Sequence, residues 1–287
     1  MNKINLIWQT SKGEESYFEF EYITELLFSK FDYTIHLDFK RYSLVMENAV
    51  IIYCNNHRGP SFEFLNYLNK FKRNHFQFSL LHLSNEGLFH NCDYYELAQK
   101  VFRSYYDPKI QQENVTFLPL GFKSGYLNKD NNYNLKEKKF DFAFIGQPKS
   151  DRLELIEVLK TNGTNFIHAT QSWNCKTALS QSECRDIYAN SKFVPCPKGW
   201  INPDSFRIME TLESGSIPIL RNYDNMDYFE KPWETNAPIP IVSDWSEIIN
   251  FANLNESEYS DLYETIFGWY RKFKKSLPDR VYQKMAN

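Results

Sequence analysis

A proline- and glycine-rich loop leads into a predicted helix within residues 193–220, and polar side chains lie at the start of that helix. Asp204 or Ser205 can cap the helix, which leaves free backbone N–H groups and the positive end of the helix dipole for an anion. Ser205 adds a hydroxyl donor, and Arg207 supplies a permanent forked cation two residues later. These residue types at this spacing predict a binding site for a diphosphate.

Glu210 lies one helical turn beyond Arg207, where a carboxylate suits the two hydroxyl groups of a ribose. The same residues are also compatible with an ordinary capped helix that carries an i, i+3 ion pair. The loop before the helix and the return to a strand at residues 215–218 favour the ligand-binding interpretation.

Two further segments could bring positive charge and close backbone approach to the same ligand. Gly146 ends a predicted strand, and Lys149 and Arg152 follow in the turn that opens the next helix. Lys198 and Gly199 lie in the loop before residue 204, where glycine permits a ligand to approach the backbone closely. The alternative for the first segment is an ordinary strand–helix turn, and the alternative for Lys198 is a solvated side chain without a ligand.

Apolar runs alternate with amphipathic stretches along the chain, as in parallel, doubly wound sheets. The first half predicts strands at 4–8, 34–39, 49–54, 76–83, 101–105 and 115–120, and helices at 14–30, 61–73 and 94–100. After a polar stretch at 123–139, strands are predicted at 140–145, 165–169, 192–196, 217–220 and 239–242. Helices are predicted at 150–160, 180–190 and 204–214, with a final pair from 246 to the C-terminus.

The predicted fold class is therefore α/β, with two Rossmann-like domains that face each other across a cleft. A length of 287 residues fits two domains. We expect a first domain at 1–130, a second at 131–265 and a C-terminal helix at 266–287. In such folds, ligands bind at the carboxyl ends of the strands.

Composition argues against several functional classes. A net charge of -3 provides no basic field for nucleic acid. The opening residues are too briefly apolar for a signal peptide, and no stretch approaches the ~20 apolar residues of a membrane span. Five scattered cysteines without a C-x-x-C pair indicate neither a zinc site nor a disulfide framework. We therefore expect no metal site and a reducing, cytoplasmic location.

Three consecutive patterns match a known donor site: Cys-Pro-Lys-Gly at 196–199, Ser-Phe-Arg-Ile-Met-Glu at 205–210 and Gly-Ser-Ile-Pro at 215–218. Together they resemble the exostosin family of glycosyltransferases. Segments 81–86, 101–106 and 118–125 are similar to the branch of that family that contains the ribitol xylosyltransferase. The resemblance covers roughly residues 80–220.

The resemblance implies a GT-B fold, with the donor held mainly by the second domain and the last helix packed back on the first. It implies inverting transfer from a nucleoside diphosphate sugar, here a UDP-sugar and by its branch UDP-xylose, without an essential metal or another cofactor. The chain has no Asp-x-Asp pattern, which agrees with metal independence. The acceptor would be a hydroxyl group of a glycan, a lipid-linked glycan or a polyol phosphate in surface polysaccharide or glycoconjugate synthesis. A non-catalytic nucleotide- or glycan-binding protein on the same scaffold is the alternative.

Inverting transfer needs a base that deprotonates the acceptor hydroxyl group. Glu86, at the carboxyl end of a predicted strand, is the first candidate and His82 is the second. Alternatively, Glu86 binds an acceptor hydroxyl group without acting as the base, and His82 occupies a buried position in the core. Asn56, His57 and Arg58 follow another strand and are candidates for acceptor binding, with a plain turn as the alternative.

Two positions depart from the family pattern. Asn85 stands where the family turn carries Asp, and Asn202 stands where many GT-B enzymes carry an acidic residue eight positions before the ribose-binding glutamate. The resemblance therefore supports Glu210 but not a second acidic contact. Separately, the basic and aromatic segment 269–275 is compatible with peripheral contact to an anionic membrane face or with packing on the first domain.

Overall fold

The computed structural model describes residues 3–9, 18–38, 46–54, 59–88, 91–172, 175–224, 226–233 and 237–286. Within these residues, the strands form two parallel sheets. The first sheet consists of β1 (Lys3–Trp8), β2 (Asp32–Leu37), β3 (Ala49–Cys54), β4 (Phe78–Leu83), β5 (Lys100–Ser104) and β6 (Val115–Leu118). Their spatial order is β2-β1-β3-β4-β5-β6.

The second sheet consists of β7 (Phe140–Gly146), β8 (Asn165–Ala169), β9 (Ser191–Pro195), β10 (Ile217–Arg221) and β11 (Ile241–Val242). Their spatial order is β11-β10-β9-β7-β8. In both sheets, the first strand in sequence lies between the second and the third, which places a crevice at the carboxyl ends of the strands. Two Rossmann-like units of this kind confirm the predicted α/β, GT-B fold, and each predicted strand is present within two residues.

Strand β4 illustrates why these segments are strands. All six of its residues are buried, as expected for a parallel strand covered on both faces. Leu81 and Leu83 join one apolar cluster, whereas Phe78 and Leu80 join a second cluster that includes the buried face of a helix. Because side chains alternate between the faces of a sheet, one apolar run contributes to two cores.

The helix of that second cluster is α1 (Phe62–Arg73), which begins at Ser61 because the serine hydroxyl accepts a hydrogen bond from the Phe64 N–H at 3.2 Å. The predicted helix at 14–30 is different: its described part contains a π-helical turn at Tyr22–Leu27, and residues 14–17 lie outside the described residues. The predicted helix at 94–100 is a 3-10 helix, Asp93–Leu97.

The second sheet is covered by short helices: α2 (Arg152–Thr161), α3 (Gln181–Ala189) and α4 (Phe206–Glu213). Helix α5 (Asp227–Trp233) packs against β6 of the first sheet. The sequence did not predict α5, which is only seven residues long and contains Pro232. The predicted final helix pair consists of a 3-10 turn at Trp245–Ile248, α6 (Ile249–Ala252) and the much longer α7 (Glu256–Ala286). Among the described residues, no helix is long and apolar enough to cross a membrane.

Helix α7 leaves the second sheet and packs against the first unit. Asp279 forms an ion pair with Lys30, and the Tyr282 ring lies 5.3 Å from that of Phe31. The basic and aromatic segment 269–275 lies on this helix, and its Phe273 ring stacks on Trp233 at 5.2 Å. The inward aromatic face of the segment is therefore packed against protein.

A buried polar cluster joins the end of α4 to α7 and to the stretch between the sheets. The Glu213 carboxylate lies 2.8 Å from the Lys274 ammonium, and both groups are withdrawn from solvent. The carboxylate also accepts hydrogen bonds from the Asn128 N–H at 2.6 Å and from the Tyr270 hydroxyl at 2.6 Å. A buried charge with this many partners fixes the orientation of the helix that opens with Ser205.

We expect Lys274→Met to lower the free energy of unfolding by about 3–5 kcal/mol, because it leaves the Glu213 carboxylate buried without its counter-ion. Lys275, which is exposed on the same helix, provides the matched control. Lys275→Met should change the free energy of unfolding by about 0.5 kcal/mol or less. Denaturant unfolding measures both, and equal stability of the two variants would contradict a structural role for the pair.

Candidate functional site

A cavity of about 340 Å³ lies between the two sheets, at the carboxyl ends of β7 and β9. These adjacent strands form the point where the strand order of the second sheet reverses, which is where open α/β sheets bind ligands. Eight of the residues predicted for the site line this cavity: Glu86, Gly146, Lys149, Arg152, Gly199, Ser205, Arg207 and Glu210.

The start of α4 exposes unpaired polar groups to this cavity. Ser205 occupies the N-cap position, but its hydroxyl forms no bond to the helix. At the start of α4, three buried atoms have no hydrogen-bond partner among the described residues: Ser205 Oγ, Arg207 Nε and Glu210 Oε1. An ordinary capped helix would have a bond from the cap and an ion pair between Arg207 and Glu210. The described residues form neither, so these groups are available to a ligand.

Two guanidinium groups lie side by side on the second unit. Arg207 donates from Nη2 to the Ile145 carbonyl at 2.8 Å, and Arg152 donates from Nη2 to the Lys198 carbonyl at 2.8 Å. Burial, and then the charge of Arg207, lower the pKa of Arg152 to about 10. Among the described residues, no carboxylate lies within 4 Å of either guanidinium. On this wall of the cavity, neither guanidinium group therefore has an ion-pair partner among the described residues.

Position 146 requires a glycine because the Arg207 guanidinium lies against its backbone. A Cβ atom there would lie 3.0 Å from Nη2 of Arg207, and the residue has a φ of +156°. The backbone at the end of β7 can therefore approach the guanidinium closely, and the Ile145 carbonyl fixes its orientation.

Glu210 is the acidic group on this wall. It is 6% exposed, and burial raises the pKa of its carboxyl group, while the charges of Lys123 and Arg207 act in the opposite direction. A buried carboxyl oxygen without a partner is well suited to accept hydrogen bonds from ligand hydroxyl groups.

Glu86 extends from the end of β4 in the first unit to the loop between β9 and α4. Its Oε1 accepts hydrogen bonds from three successive backbone N–H groups, those of Trp200 at 2.5 Å, Ile201 at 2.9 Å and Asn202 at 3.2 Å. The carboxylate also occupies the space that a Cβ atom of Gly199 would take, so a larger residue there would displace Glu86 from its three N–H partners. Glu86 thus connects the two units across the cavity.

The other predicted residues do not reach the cavity. His82 is fully buried, and its Nδ1 accepts hydrogen bonds from the Tyr95 hydroxyl at 2.5 Å and from Arg103 Nη1 at 3.1 Å. The Lys198 ammonium lies over the Tyr223 ring at 5.1 Å, and the Lys198 carbonyl positions Arg152. Asn56, His57 and Arg58 lie outside the described residues.

Sequence reasoning did not assign Tyr105, Lys123 or Asp204 to the site, although all three line the cavity. Tyr105 and Lys123 lie in the segments 101–106 and 118–125, whose similarity to the family branch was the available signal. Asp204 was interpreted only as a helix cap. Its carboxylate instead accepts hydrogen bonds from the Leu120 N–H at 2.9 Å and from Trp233 Nε1 at 3.1 Å.

Burial raises the pKa of Asp204 to about 7, and these two donors only partly offset the effect. The folded state therefore binds the proton more tightly than the unfolded state, in which the pKa is about 3.9. Protonation of Asp204 therefore stabilises the folded state, and this stabilisation is fully present below pH 4. It is lost as the pH rises through about 7, which lowers the free energy of unfolding by up to roughly 4 kcal/mol. We expect the free energy of unfolding of Asp204→Asn not to show this decrease with rising pH.

Denaturant unfolding of wild type and Asp204→Asn between pH 4 and pH 8 measures the effect as a difference between two curves. The exposed Asp261→Asn variant should follow the wild-type curve. Parallel curves for wild type and Asp204→Asn would show that Asp204 does not titrate in this range.

Comparison with known proteins identifies the family. No curated protein sequence matches the chain at a significant level. Among solved structures, the apo form of the lipopolysaccharide outer core galactosyltransferase WaaB is similar, with 12% sequence identity and a TM-score of 0.47 over 98% of each chain. A family model described as the RXYLT1 C-terminal domain matches residues 121–287, which is more than half of the chain and includes α4 with its unpaired polar groups. The chain therefore belongs to the RXYLT1 C-terminal domain family, as the resemblance to exostosin-like ribitol xylosyltransferases predicted, and it is a glycosyltransferase.

Proposed function

We propose that the protein transfers a sugar from a UDP-sugar to a hydroxyl group of a glycan, with inversion at C1 and without a metal ion. The observation that supports this best is the pair of guanidinium groups of Arg152 and Arg207, which have no carboxylate within 4 Å among the described residues. Two guanidinium groups beside a helix N-terminus favour a diphosphate, because the cations and the helix end can interact with the same anion.

The donor nucleotide would lie along α4. Its diphosphate would accept hydrogen bonds from Arg207 Nε and Ser205 Oγ, which have no partner among the described residues. Its ribose hydroxyl groups would donate to Glu210 Oε1, three residues further along the helix. We take uridine as the base and xylose as the first donor sugar to test, on the basis of the family resemblance.

We assign the general base to Glu86. Its Oε1 is occupied by three N–H groups, which leaves Oε2 to accept the proton of the acceptor hydroxyl. The hydroxyl oxygen then attacks C1, the new glycosidic C1–O bond forms, and the C1–O bond to the diphosphate breaks on the opposite face. Arg152 and Arg207 would stabilise the negative charge that develops on the leaving UDP. This role requires no metal and no other cofactor.

The departure at position 202 fits this scheme. Asn202 is buried, and its Oδ1 accepts a hydrogen bond from the Asp204 N–H at 2.9 Å while its own N–H donates to Glu86. The residue therefore shapes the loop, and the loss of a second acidic group there leaves Glu210 as the proposed ribose ligand.

We also propose a cytoplasmic reaction with a glycan or lipid-linked glycan as acceptor. None of the five cysteines, all of which the structure describes, forms a disulfide, which supports a reducing compartment. A catalytically inactive binding protein is the competing possibility, and transfer by the purified protein distinguishes the two.

Arg207→Ala should weaken binding of UDP-xylose and of UDP roughly 10- to 100-fold, because charge-assisted hydrogen bonds contribute about 1.5–3 kcal/mol. Arg207→Lys should recover only part of the loss, since lysine has no planar fork. Isothermal titration calorimetry measures both, with the exposed Arg73→Ala variant as the control. Near wild-type affinity in Arg207→Ala would refute the diphosphate assignment.

Glu86→Gln should lower turnover by about 10²–10⁴-fold, because glutamine keeps an oxygen for the three N–H groups but cannot accept the proton. Donor affinity should remain close to that of wild type. The exposed Glu96→Gln variant is the control, and a transfer assay with the radiolabelled UDP-sugar gives the rate. Full turnover in Glu86→Gln would exclude Glu86 as the base.

A further inference from the structure

A closed ring of hydrogen bonds connects three loops of the second unit to Arg152. These loops follow the adjacent strands β7, β9 and β10, whose carboxyl ends meet at one edge of the parallel sheet. The ring consists of Asp151 and Arg152 after β7, Lys198 after β9 and Tyr223 after β10. Of these four described residues, only Arg152 lines the cavity.

The Tyr223 hydroxyl group is the centre of the ring. It accepts a hydrogen bond from the Lys198 N–H at 3.1 Å and donates one to Asp151 Oδ2 at 2.5 Å. The Lys198 carbonyl in turn accepts the hydrogen bond from Arg152 Nη2 at 2.8 Å. The ring closes because Asp151 and Arg152 are consecutive in the chain. One hydroxyl group therefore holds the backbone of residue 198, whose carbonyl orients the guanidinium.

Asp151 has an unusual set of partners for its position. It occupies the N-cap of α2, where an aspartate ordinarily accepts hydrogen bonds from the first helical N–H groups, but its side chain forms no such bond. Instead, Oδ2 accepts from the Tyr223 hydroxyl and from Nε1 of the buried Trp245 at 3.2 Å. Within the described part of the chain, Asp151 forms no ion pair, although Arg152 is its neighbour. Two neutral donors thus bind this carboxylate in place of the guanidinium.

The other charged side chains next to the ring have partners of their own. Arg221 pairs with Glu154 at 2.9 Å and with Asp244 at 3.2 Å, and the Lys198 ammonium lies over the Tyr223 ring at 5.1 Å. Burial, and then the hydrogen bond to the carboxylate, raise the pKa of Tyr223 above its usual value. The tyrosine therefore keeps its proton at neutral pH and remains a hydrogen-bond donor.

We propose that Tyr223 is a positioning residue that orients Arg152 for the donor diphosphate without touching the donor itself. It acts by two routes. It fixes the Lys198 carbonyl that accepts from the guanidinium, and it binds the Asp151 carboxylate that could otherwise pair with the guanidinium and neutralise it. The inference rests on the proposed UDP-sugar donor and adds a residue that lies outside the donor cavity.

Tyr223→Phe tests the first route, because it removes the hydroxyl group and keeps the ring. We expect it to raise the Kd for UDP about 5- to 20-fold, measured by isothermal titration calorimetry. In an Arg152→Ala background the same change should alter the Kd less than about twofold, since the guanidinium is already absent. In an Arg207→Ala background it should retain its full effect. The control is Tyr282→Phe, a tyrosine that is 36% exposed on α7 and should bind UDP like wild type.

Asp151→Asn tests the second route. The amide keeps an oxygen for the two donors but cannot neutralise a guanidinium, so this variant should bind UDP at least as tightly as wild type. Added to Tyr223→Phe, it should recover part of the lost affinity. No recovery in the double variant would overturn the role assigned to Asp151.

NMR of the arginine side chains tests the proposal without a ligand. The Nε–H signal of Arg152, assigned through Arg152→Lys, should shift or broaden in Tyr223→Phe, whereas that of Arg207 should remain unchanged and show that the fold is intact. An unchanged Arg152 signal, or an equal loss of UDP affinity from Tyr223→Phe with and without Arg152, would overturn the proposal. If wild type does not bind UDP, the proposed donor is refuted, and the Arg152 signal still decides whether Tyr223 positions the guanidinium.

Discussion

Two carboxylates hold the loop between β9 and α4 against the first unit, and the cavity depends on both. Glu86 extends from the first unit and binds three successive N–H groups of the loop. Asp204 extends from the end of the loop and binds the Leu120 N–H of the first unit. Glu86 therefore satisfies three successive backbone donors and Asp204 satisfies a buried one, and all of these bonds form only when the loop lies against the first unit.

This arrangement also brings charges of both signs to one cavity. The guanidinium groups of Arg152 and Arg207 lie on the second unit, whereas Glu86 and Asp204 lie where the two units meet. The diphosphate and the acceptor hydroxyl group that we propose as ligands require different environments, since one is an anion and the other has to lose a proton. The buried Glu213–Lys274 pair at the far end of α4 fixes the helix that carries the donor-side groups.

The strands were predictable because a parallel strand covered on both faces is a short, continuous apolar run, as at Ala49–Cys54. Helix α5 was not predictable from the sequence. Its seven residues, which include Pro232, make too few helical turns to show a helical period of apolar residues. It was predictable that Ser205, Arg207 and Glu210 would lie close together, because they belong to the start of one helix, at spacings that the helix itself converts into proximity.

The amino-acid sequence by itself determined the two α/β units, the position of the loop and helix at 196–213, and the family. Only the tertiary structure decided what Glu86 and Asp204 contact, because their partners are more than 80 residues away in the chain. It also decided that His82 bonds within the first unit and that Trp200 remains exposed. Local spacing fixes contacts within a helix, whereas contacts between two sheets depend on how the whole chain packs.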